Sequence, residues 1–533
     1  YVVPLTQHLL QQEMFHLVGI KPPVKDVLVG TYGVIKPPFI DSVVVHQNSA
    51  VVDYDGTCVG RVTPKTKCCP THLFDEIKDL GFNPEEFAPP QFRTKKDTFG
   101  FYLNDKSPIP VNVSKMLRPK PVFDVQDLET IVSHITETLS PHFKGDYAPI
   151  SLEEAINGKT ADECITIETA AGFPRSGNKL QFMDVVTLPT GRPIYSFNEE
   201  LQREYDLISE TVRQGYSFKP VFKGALKDEV VTNEKNEIGK IRMFFGPPMT
   251  FITLVRQYYL EFIRDYKACA LKPGAEHAYS VNHASPQWKQ LADSLRQMAG
   301  DNGAFGAGDF SNFDKGMGGQ VTEAAFDIIH RLMGGENPAL RAIMADICYP
   351  YLHVRGDFLS MGGTNPSGHP LTTVINCLVN TIYHRYAYLK ENGSLARYNE
   401  EVYLSTFGDD SIFASKDVSR FNQQIMQKHM KVLGVAYTDN TKSQDNIPVS
   451  CKWEDLTFLA RSFHPFGDLY IPLLNLRSIV RMLAWHSPRK SLYGDLWQIQ
   501  VAGSYWREFA LYELAGQAHL LDGLGEIIGH EPT

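Results

Sequence analysis

Asp409 and Asp410 follow Gly408 at a corner between two runs of strand-favouring residues, Tyr403 to Phe407 and Ser411 to Ser415. That is the pattern of a β-hairpin closed by a tight turn, with two carboxylates at its tip. Gly and Asp are ordinary turn residues, so the corner taken alone is a weak signal and reads more readily as a plain solvated turn. A second acidic pair, Asp309 and Asp314, lies between Gly303 and Gly316, where small residues read as a strand ending at Asp309. If that strand pairs beside the hairpin, Asp309 and Asp409 converge, and their like charges repel unless a cation neutralises them. Oxygen ligands with no nearby His or Cys favour magnesium or manganese over zinc. Two such ions, about 3.5–4 Å apart, clamp the attacking and leaving oxygens of a phosphoryl displacement. The plainer alternative is a helix N-cap at Asp314 and solvated turns for the rest.

Between the two pairs, Leu371, Val374, Ile375, Leu378 and Val379 mark one face of a helix, with Pro370 suited to its first turn. Thr372 and Asn376, four apart, share another face, where a hydroxyl and an amide can hydrogen-bond a sugar. A 2′-hydroxyl, donor and acceptor at once, is what distinguishes RNA precursors. The preceding glycine-rich loop, Gly363 to Gly368, runs into His369-Pro370 and lacks the Lys-Ser/Thr of a phosphate-gripping P-loop. From Lys219 to Arg242 there are six Lys or Arg against four Asp or Glu, which fits a phosphate-directed element or a solvated hairpin. Ile471 to Gly494 carries Arg477, Arg481, Arg489 and Lys490 with Trp485 and His486, as does a nucleic-acid contact or a surface helix with a buried Trp. The patches Arg93 to Lys96 and Lys115 to Lys120 read as solvated surface or as a nucleic-acid groove.

The elements that must position these groups follow from periodicity. A helix is expected from Val125 to Leu139. Val321, Ala325, Ile328 and Leu332 fall at helical spacing before Gly334-Gly335, so the Asp309 unit reads strand, acidic turn, helix. A strand and helix mixture from about residue 200 predicts an α+β protein with a mostly antiparallel sheet. At 533 residues the chain has length for about three domains or one multi-lobed one. Its 43% hydrophobic and 21% charged residues are those of a globular protein, and no apolar run approaches the ~18 residues of a membrane span. The eight cysteines form no Cys-x-x-Cys pair, which fits reduced thiols in a cytosolic setting; Cys68, Cys69 and His72 lack the second pair of a structural zinc site. A net charge of −9 neither supports nor excludes nucleic-acid binding, because a channel needs only local positive charge. The opening residues, Tyr1 to Gln7, have neither a Met nor the order of a signal peptide, and read as a product of cleavage or trimming such as an excised polyprotein segment.

In order and spacing these motifs resemble those of the RNA-dependent RNA polymerases of picornavirus-like positive-strand RNA viruses, closest in tone to those of insect iflaviruses. The resemblance runs from about residue 55 to the end. Thr169 to Pro174 looks like the template-entry motif and Lys227 to Arg242 like the nucleotide-channel motif. Asp309 to Asp314, Ser367 to Asn376 and Phe407 to Asp410 resemble the first three palm motifs, Thr438 to Ser443 the fourth, and Thr457 to Phe463 the primer grip. The resemblance implies an α+β right-hand fold with an antiparallel palm sheet, a helical thumb, and fingers closing onto the thumb. Its implied division is an N-terminal extension 1–54, fingers 55–255, palm 256–345, a fingers insertion 346–364, palm 365–465 and thumb 466–533.

The resemblance also implies roles. Asp309 and Asp409 hold two magnesium or manganese ions, with Asp410 beside them. Lys227, Lys235 and Arg242 contact the incoming triphosphate, while Asp314, Thr372 and Asn376 sense its ribose. Ser367 and Gly368 form a mobile loop under the template and the nascent base pair. Lys442 is the general acid for departing pyrophosphate; Thr169 contacts RNA and Arg461 helps hold the primer strand. The implied partners are an RNA template and primer, ribonucleoside triphosphates, a small genome-linked protein as primer, and other viral replication proteins, at membrane-associated complexes in the host cytoplasm. Three residues depart from the family pattern: Phe407 stands for a Tyr, Val231 for a basic residue and Ala460 for a Lys. Rival readings fit less well. A reverse transcriptase would carry a bulky aromatic at Asp314, a metal-dependent phosphohydrolase has no use for Thr372 and Asn376, and an inert RNA-binding scaffold does not need Asp309, Asp409, Asp410 and Lys442.

Overall fold

The structure is a computed structural model that describes residues 51–57, 66–92, 108–116, 118–354, 357–439, 447–486 and 494–529. Lys442, Arg489, Lys490 and the patch from Arg93 to Lys96 lie outside the described residues.

Nine strands form the two larger sheets. In chain order they are β1 (Val51–Thr57), β2 (Val221–Leu226), β3 (Met243–Gly246), β4 (Ala304–Phe310), β5 (Tyr351–Val354), β6 (Asp357–Met361), β7 (Val402–Phe407), β8 (Asp410–Ser415) and β9 (Tyr437–Asp439). The first sheet has the order β1-β6-β5-β2-β3 and is antiparallel except where β5 runs parallel to β2. The second has the order β7-β8-β4-β9 and is antiparallel throughout, as the sequence predicts. Strand β1 spans the expected boundary at residue 54, so the end of the front segment is an edge strand of the first sheet.

Alternation with a period of two divides the second sheet into two covered faces. Phe310, Leu404, Phe413 and Tyr437 join the main core. Phe305, Ala307, Ile412 and Ala414 join a second core on the other face. Gly306 and Gly308 sit on the main-core face, where rings fill the space of a side chain: a Cβ at either would lie 2.2 Å from the ring of Phe413 or Tyr437. Positions 306 and 308 therefore leave no room for a side chain.

Eight helices matter most for the centre and its supports: α1 (Val125–Leu139), α2 (Pro286–Ala299), α3 (Gly319–Leu332), α4 (Pro338–Cys348), α5 (Thr372–Asn392), α6 (Gln423–Val432), α7 (Leu476–Ala484) and α8 (Gly494–Leu514). α1 has the predicted bounds; Asp124 caps it, accepting the Gln126 and Asp127 amides at 2.9 and 3.1 Å. α5 is buried on nearly all sides from Val374 to Leu389 and stops at Gly393, whose φ of 73° suits a residue without a Cβ. Pro370 falls two residues before α5 rather than in its first turn.

Residues 66–92 run between α7 and the basic loop 227–242. Cys69–Pro70 pairs with Trp485–His486, Thr71 bonds the carbonyls of Leu483 and Ala484 at 2.6 and 2.9 Å, and the Trp485 indole donates to Pro84 O at 3.0 Å. Farther along, Phe87–Ala88 pairs with Val231–Thr232, and Asn236 exchanges hydrogen bonds with Gln91 N and Pro89 O, both at 3.0 Å. Arg477 pairs with Glu86 and, like Arg481, lies over the ring of Phe87. These two cations of the 471–494 stretch are thus engaged by protein, and Trp485 is an anchor.

Candidate active site

Register brings the acidic residues together. Ser411 pairs with Gly308, and continuing the antiparallel ladder by one residue sets Asp410 opposite Asp309 on the same face. On the other edge of β4, Thr438 pairs with Asp309 and donates to its carbonyl at 3.2 Å. Asp409 occupies the two-residue turn after Gly408, whose φ of 68° a glycine adopts without strain. It is exposed at the tip but hemmed in on its flanks. That partial burial, and then the charges of Asp309 and Asp314, push its carboxyl above the usual carboxylate range, against the pull of Arg242.

Asp314 is not a cap. The residue before its short helix is Asn312, in the left-handed region at φ 59° with no capping bond, and Asp314 lies within the first turn, accepting the Lys315 amide at 2.9 Å. Its carbonyl receives the Asn365 amide at 2.9 Å and the Thr364 hydroxyl at 3.1 Å, which ties the loop before α5 to the first acidic unit. Asn365 also donates to Asn376 Oδ1 at 2.7 Å and shares a 2.8 Å hydrogen bond with His369 Nε2, while the Thr372 hydroxyl donates to His369 O at 2.8 Å. Thr372 and Asn376 are therefore held, half-buried, beside Asp314's support. Ser367 is half-buried in the same loop, and Gly368 lies so close to Phe245 and Gly246 that a Cβ would meet Phe245 O at 2.3 Å.

One face of α5 fixes the acidic turn. Asn380 donates to the carbonyls of Gly408 and Asp409 at 3.0 and 3.1 Å, and the Gly408 amide reaches Cys377 Sγ at 3.2 Å. Burial pushes the Cys377 thiol up to about 11, so it remains neutral. Phe407 packs in the second core with its ring edge-on to Tyr279, a place that needs no hydroxyl.

The nucleotide-channel residues converge on an acid that sequence reasoning passed over. Glu229 binds Arg242 through both carboxylate oxygens and lies 3.0 Å from Lys227 Nζ. Arg242 feels Asp409 and Asp314 as well, so it stands between this clamp and the acidic centre. Lys235 lies half-buried on the short helix Asn233–Glu237. Val231 is buried with Phe92 and Ile241, where a cation would have no water. Asp228 accepts from the Thr66 hydroxyl, the Lys67 amide and the Cys68 thiol at 2.7, 2.8 and 3.4 Å, which anchors the loop from below.

Two expected RNA contacts stand apart from the carboxylates. Thr169 is exposed, and its hydroxyl accepts a hydrogen bond from the buried Lys179. Arg461 is largely buried, donating to Pro472 O at 2.7 Å and to both oxygens of Glu508 at 2.9 and 2.6 Å. The adjoining turn places Leu459 and Ala460 at φ 53° and 62°, a conformation that two-residue hairpins usually give to Asn and Gly. Asn380 carried a sequence signal, four residues after Asn376; Glu229 and Asn365 carried none.

Residues 105–514 match the family model described as viral RNA-dependent RNA polymerase. The chain is 30% identical to the replicase polyprotein of Drosophila C virus (strain EB) over 65% of its length and 21% of that polyprotein. It is 27% identical to the genome polyprotein of Deformed wing virus over 72% of its length and 14% of that relative. It thus spans about a fifth or less of these relatives. Among solved structures it is similar in fold to a Sicinivirus 3Dpol RNA-dependent RNA polymerase, with a TM-score of 0.72 and 17% identity, covering 91% of this chain and 96% of that one.

Proposed function

Because the chain belongs to the viral RNA-dependent RNA polymerase family, we propose that it adds a ribonucleoside triphosphate to the 3′-hydroxyl of RNA on an RNA template and releases pyrophosphate. The observation that carries this reading is the sheet register that sets Asp410 opposite Asp309, with Asp409 in the field of Asp309. The donor set is all carboxylate and the nearest thiol is neutral, so Asp309, Asp409 and Asp410 are the residues that would hold two magnesium or manganese ions, although among the described residues no three possible metal ligands are gathered into one group. When bound, these ions supply neutralisation of the charge that develops in an in-line phosphoryl displacement. The chain does the rest. Arg242 and Lys227 exchange Glu229 for the triphosphate, with Lys235 on the same loop. Asn376, held by Asn365, and Thr372 and Asp314 read the ribose. Ser367 and Gly368 flank the nascent pair. Lys442, assigned by sequence resemblance alone, protonates the leaving group. Thr169 meets the template, and Arg461 acts on the primer strand by bracing the turn before it.

The same reading divides the chain into fingers, palm and thumb at the boundaries given above. It gives it a genome-linked protein and other replication proteins as partners, at membrane-associated complexes. Extension of a labelled RNA primer, comparing ribo- with deoxynucleotides and wild type with Asp409→Asn, tests it. Ribonucleotide-dependent extension that disappears in the variant is expected. No extension by the wild type, even with manganese and a preformed primer, would sink the reading.

A further inference from the structure

Hydrogen bonds in the loop before α5 run in one direction, and His369 starts them. Its imidazole is buried, only 4% exposed, with Nε2 2.8 Å from Asn365 Oδ1 and Nδ1 without a hydrogen-bond partner among the described residues. Burial pushes its pKa down to about 3, so the ring is neutral and carries a single proton. The place of that proton follows from the neighbours. Thr372 O is a carbonyl and can only accept, and it lies 3.4 Å from the Asn365 side chain, so the Asn365 atom facing it is Nδ2. Asn365 Oδ1 then faces His369, and Nε2 holds the proton they share. A proton on Nδ1 would leave a buried donor unpartnered and set two acceptors 2.8 Å apart.

The same direction continues toward the half-buried face of α5. Asn365 Nδ2 donates to Asn376 Oδ1 at 2.7 Å, which occupies the acceptor of that amide and leaves Asn376 Nδ2, with no partner among the described residues, as a donor. At the other end of the same residue, the His369 carbonyl accepts the Thr372 hydroxyl proton at 2.8 Å, so the Thr372 oxygen is left to accept. A 2′-hydroxyl has one proton to give and lone pairs to receive with. It would meet a donor at Asn376 and acceptors at Thr372 and Asp314. We propose that His369 is a positioning residue for sugar selection, orienting the Asn376 amide through Asn365 and the Thr372 hydroxyl through its own carbonyl. This rests on the ribose-reading role of Asn376 and Thr372 and adds the residue that sets their direction. A deoxy sugar leaves the preset Asn376 donor without its acceptor, whereas an amide released to turn finds water instead, and the penalty against the deoxy sugar shrinks.

The test uses the full chain with a preformed primer and template, in His369→Leu, which removes the donor, and His369→Gln, whose amide nitrogen stands in for Nε2–H. For cytidine triphosphate and its 2′-deoxy counterpart, kcat and KM are measured opposite the same template base. Expected in His369→Leu is a fall on the order of tenfold in the ribo to deoxy ratio of kcat/KM, carried by the ribonucleotide KM, with recovery to within roughly threefold of wild type in His369→Gln. Equal losses for both sugars, which a merely structural histidine would give, overturn the proposal. An unchanged ratio overturns it too, as does a ratio in His369→Gln as low as in His369→Leu. If His369→Leu fails to fold, nitrogen NMR of the histidine-labelled wild type decides, the His369 signal being the one absent from His369→Gln: an Nε2–H tautomer upholds the assignment and an Nδ1–H tautomer overturns it. Where no primer is extended at all, calorimetric binding of the two triphosphates separates this inference from the polymerase reading. A wild-type preference for the ribose that collapses in His369→Leu upholds it; a preference that persists in the variant, or is absent from the wild type, overturns it.

Discussion

Asp409 is held in a field that opposes its own charge, and this has a cost that the chain carries when no cation is bound. A carboxyl whose folded pKa is raised destabilises the fold above that pKa, and the loss is recovered as pH falls through it. Without divalent ions, Asp409→Asn should therefore melt above the wild type at pH 8, by about one or two degrees, with the gap closing in acid. Scanning calorimetry at two pH values checks this, and equal melting at pH 8 would contradict it. At the sugar, Asn365→Leu frees Asn376 from its 2.7 Å bond. The ratio of ribo- to deoxynucleotide kcat/KM should then fall on the order of tenfold while extension persists. The carboxylates were legible in the sequence because a second acidic pair, Asp309 and Asp314, ends another strand pattern, which a lone solvated turn would not require. Asn365 and Glu229 were not, because their partners are set by how loops fold back, which spacing does not encode.

α5 acts on the acidic turn as a unit, holding it with Asn380 while Asn376 projects one helical turn earlier. Asn380→Ala leaves two turn carbonyls without their donor, and kcat should fall about tenfold with nucleotide KM little changed. Steady-state extension kinetics distinguish this from plain unfolding, which would lower the amount of active protein without splitting the two constants. A different element responds to pH. Asp346 on α4 is buried against the Ser217 hydroxyl, and burial raises its carboxyl to about 7. The folded state takes up a proton there that the unfolded chain releases, so stability is greatest in acid and declines as pH rises toward 7. Asp346→Asn should flatten that decline between about pH 5 and pH 7 in urea unfolding; an unchanged slope would contradict it. Periodicity located α1 to the residue and α5 to within a turn. It missed β1, because a strand that pairs with Asp357–Met361, far away in sequence, has no local signature beyond its valines.

Over the whole molecule, residues 66–92 connect α7 to the loop that holds Lys227 and Arg242, and Arg461 connects the hairpin of Thr457–Phe458 and Arg461–Ser462 to α8. The Arg461 and Glu508 side chains are 11% and 12% exposed, so Arg461→Ala strands a buried acid and should cost about 3–5 kcal/mol, whereas a paired Arg461→Met and Glu508→Leu change should recover most of it. Denaturant unfolding of the three variants checks this. Motif order made the family legible, but these long-range ties were not, since Thr71 and Ala484 are neighbours only after folding. Gly306 and Gly308 lead furthest from the fold itself. Every coding change at either position adds a Cβ where a ring already stands. On the reading proposed here, the enzyme copies the gene that encodes it. Copying mistakes that replace either glycine then yield genomes whose own replicase must distort its central strand, and such lineages fail unless a neighbour's enzyme copies them.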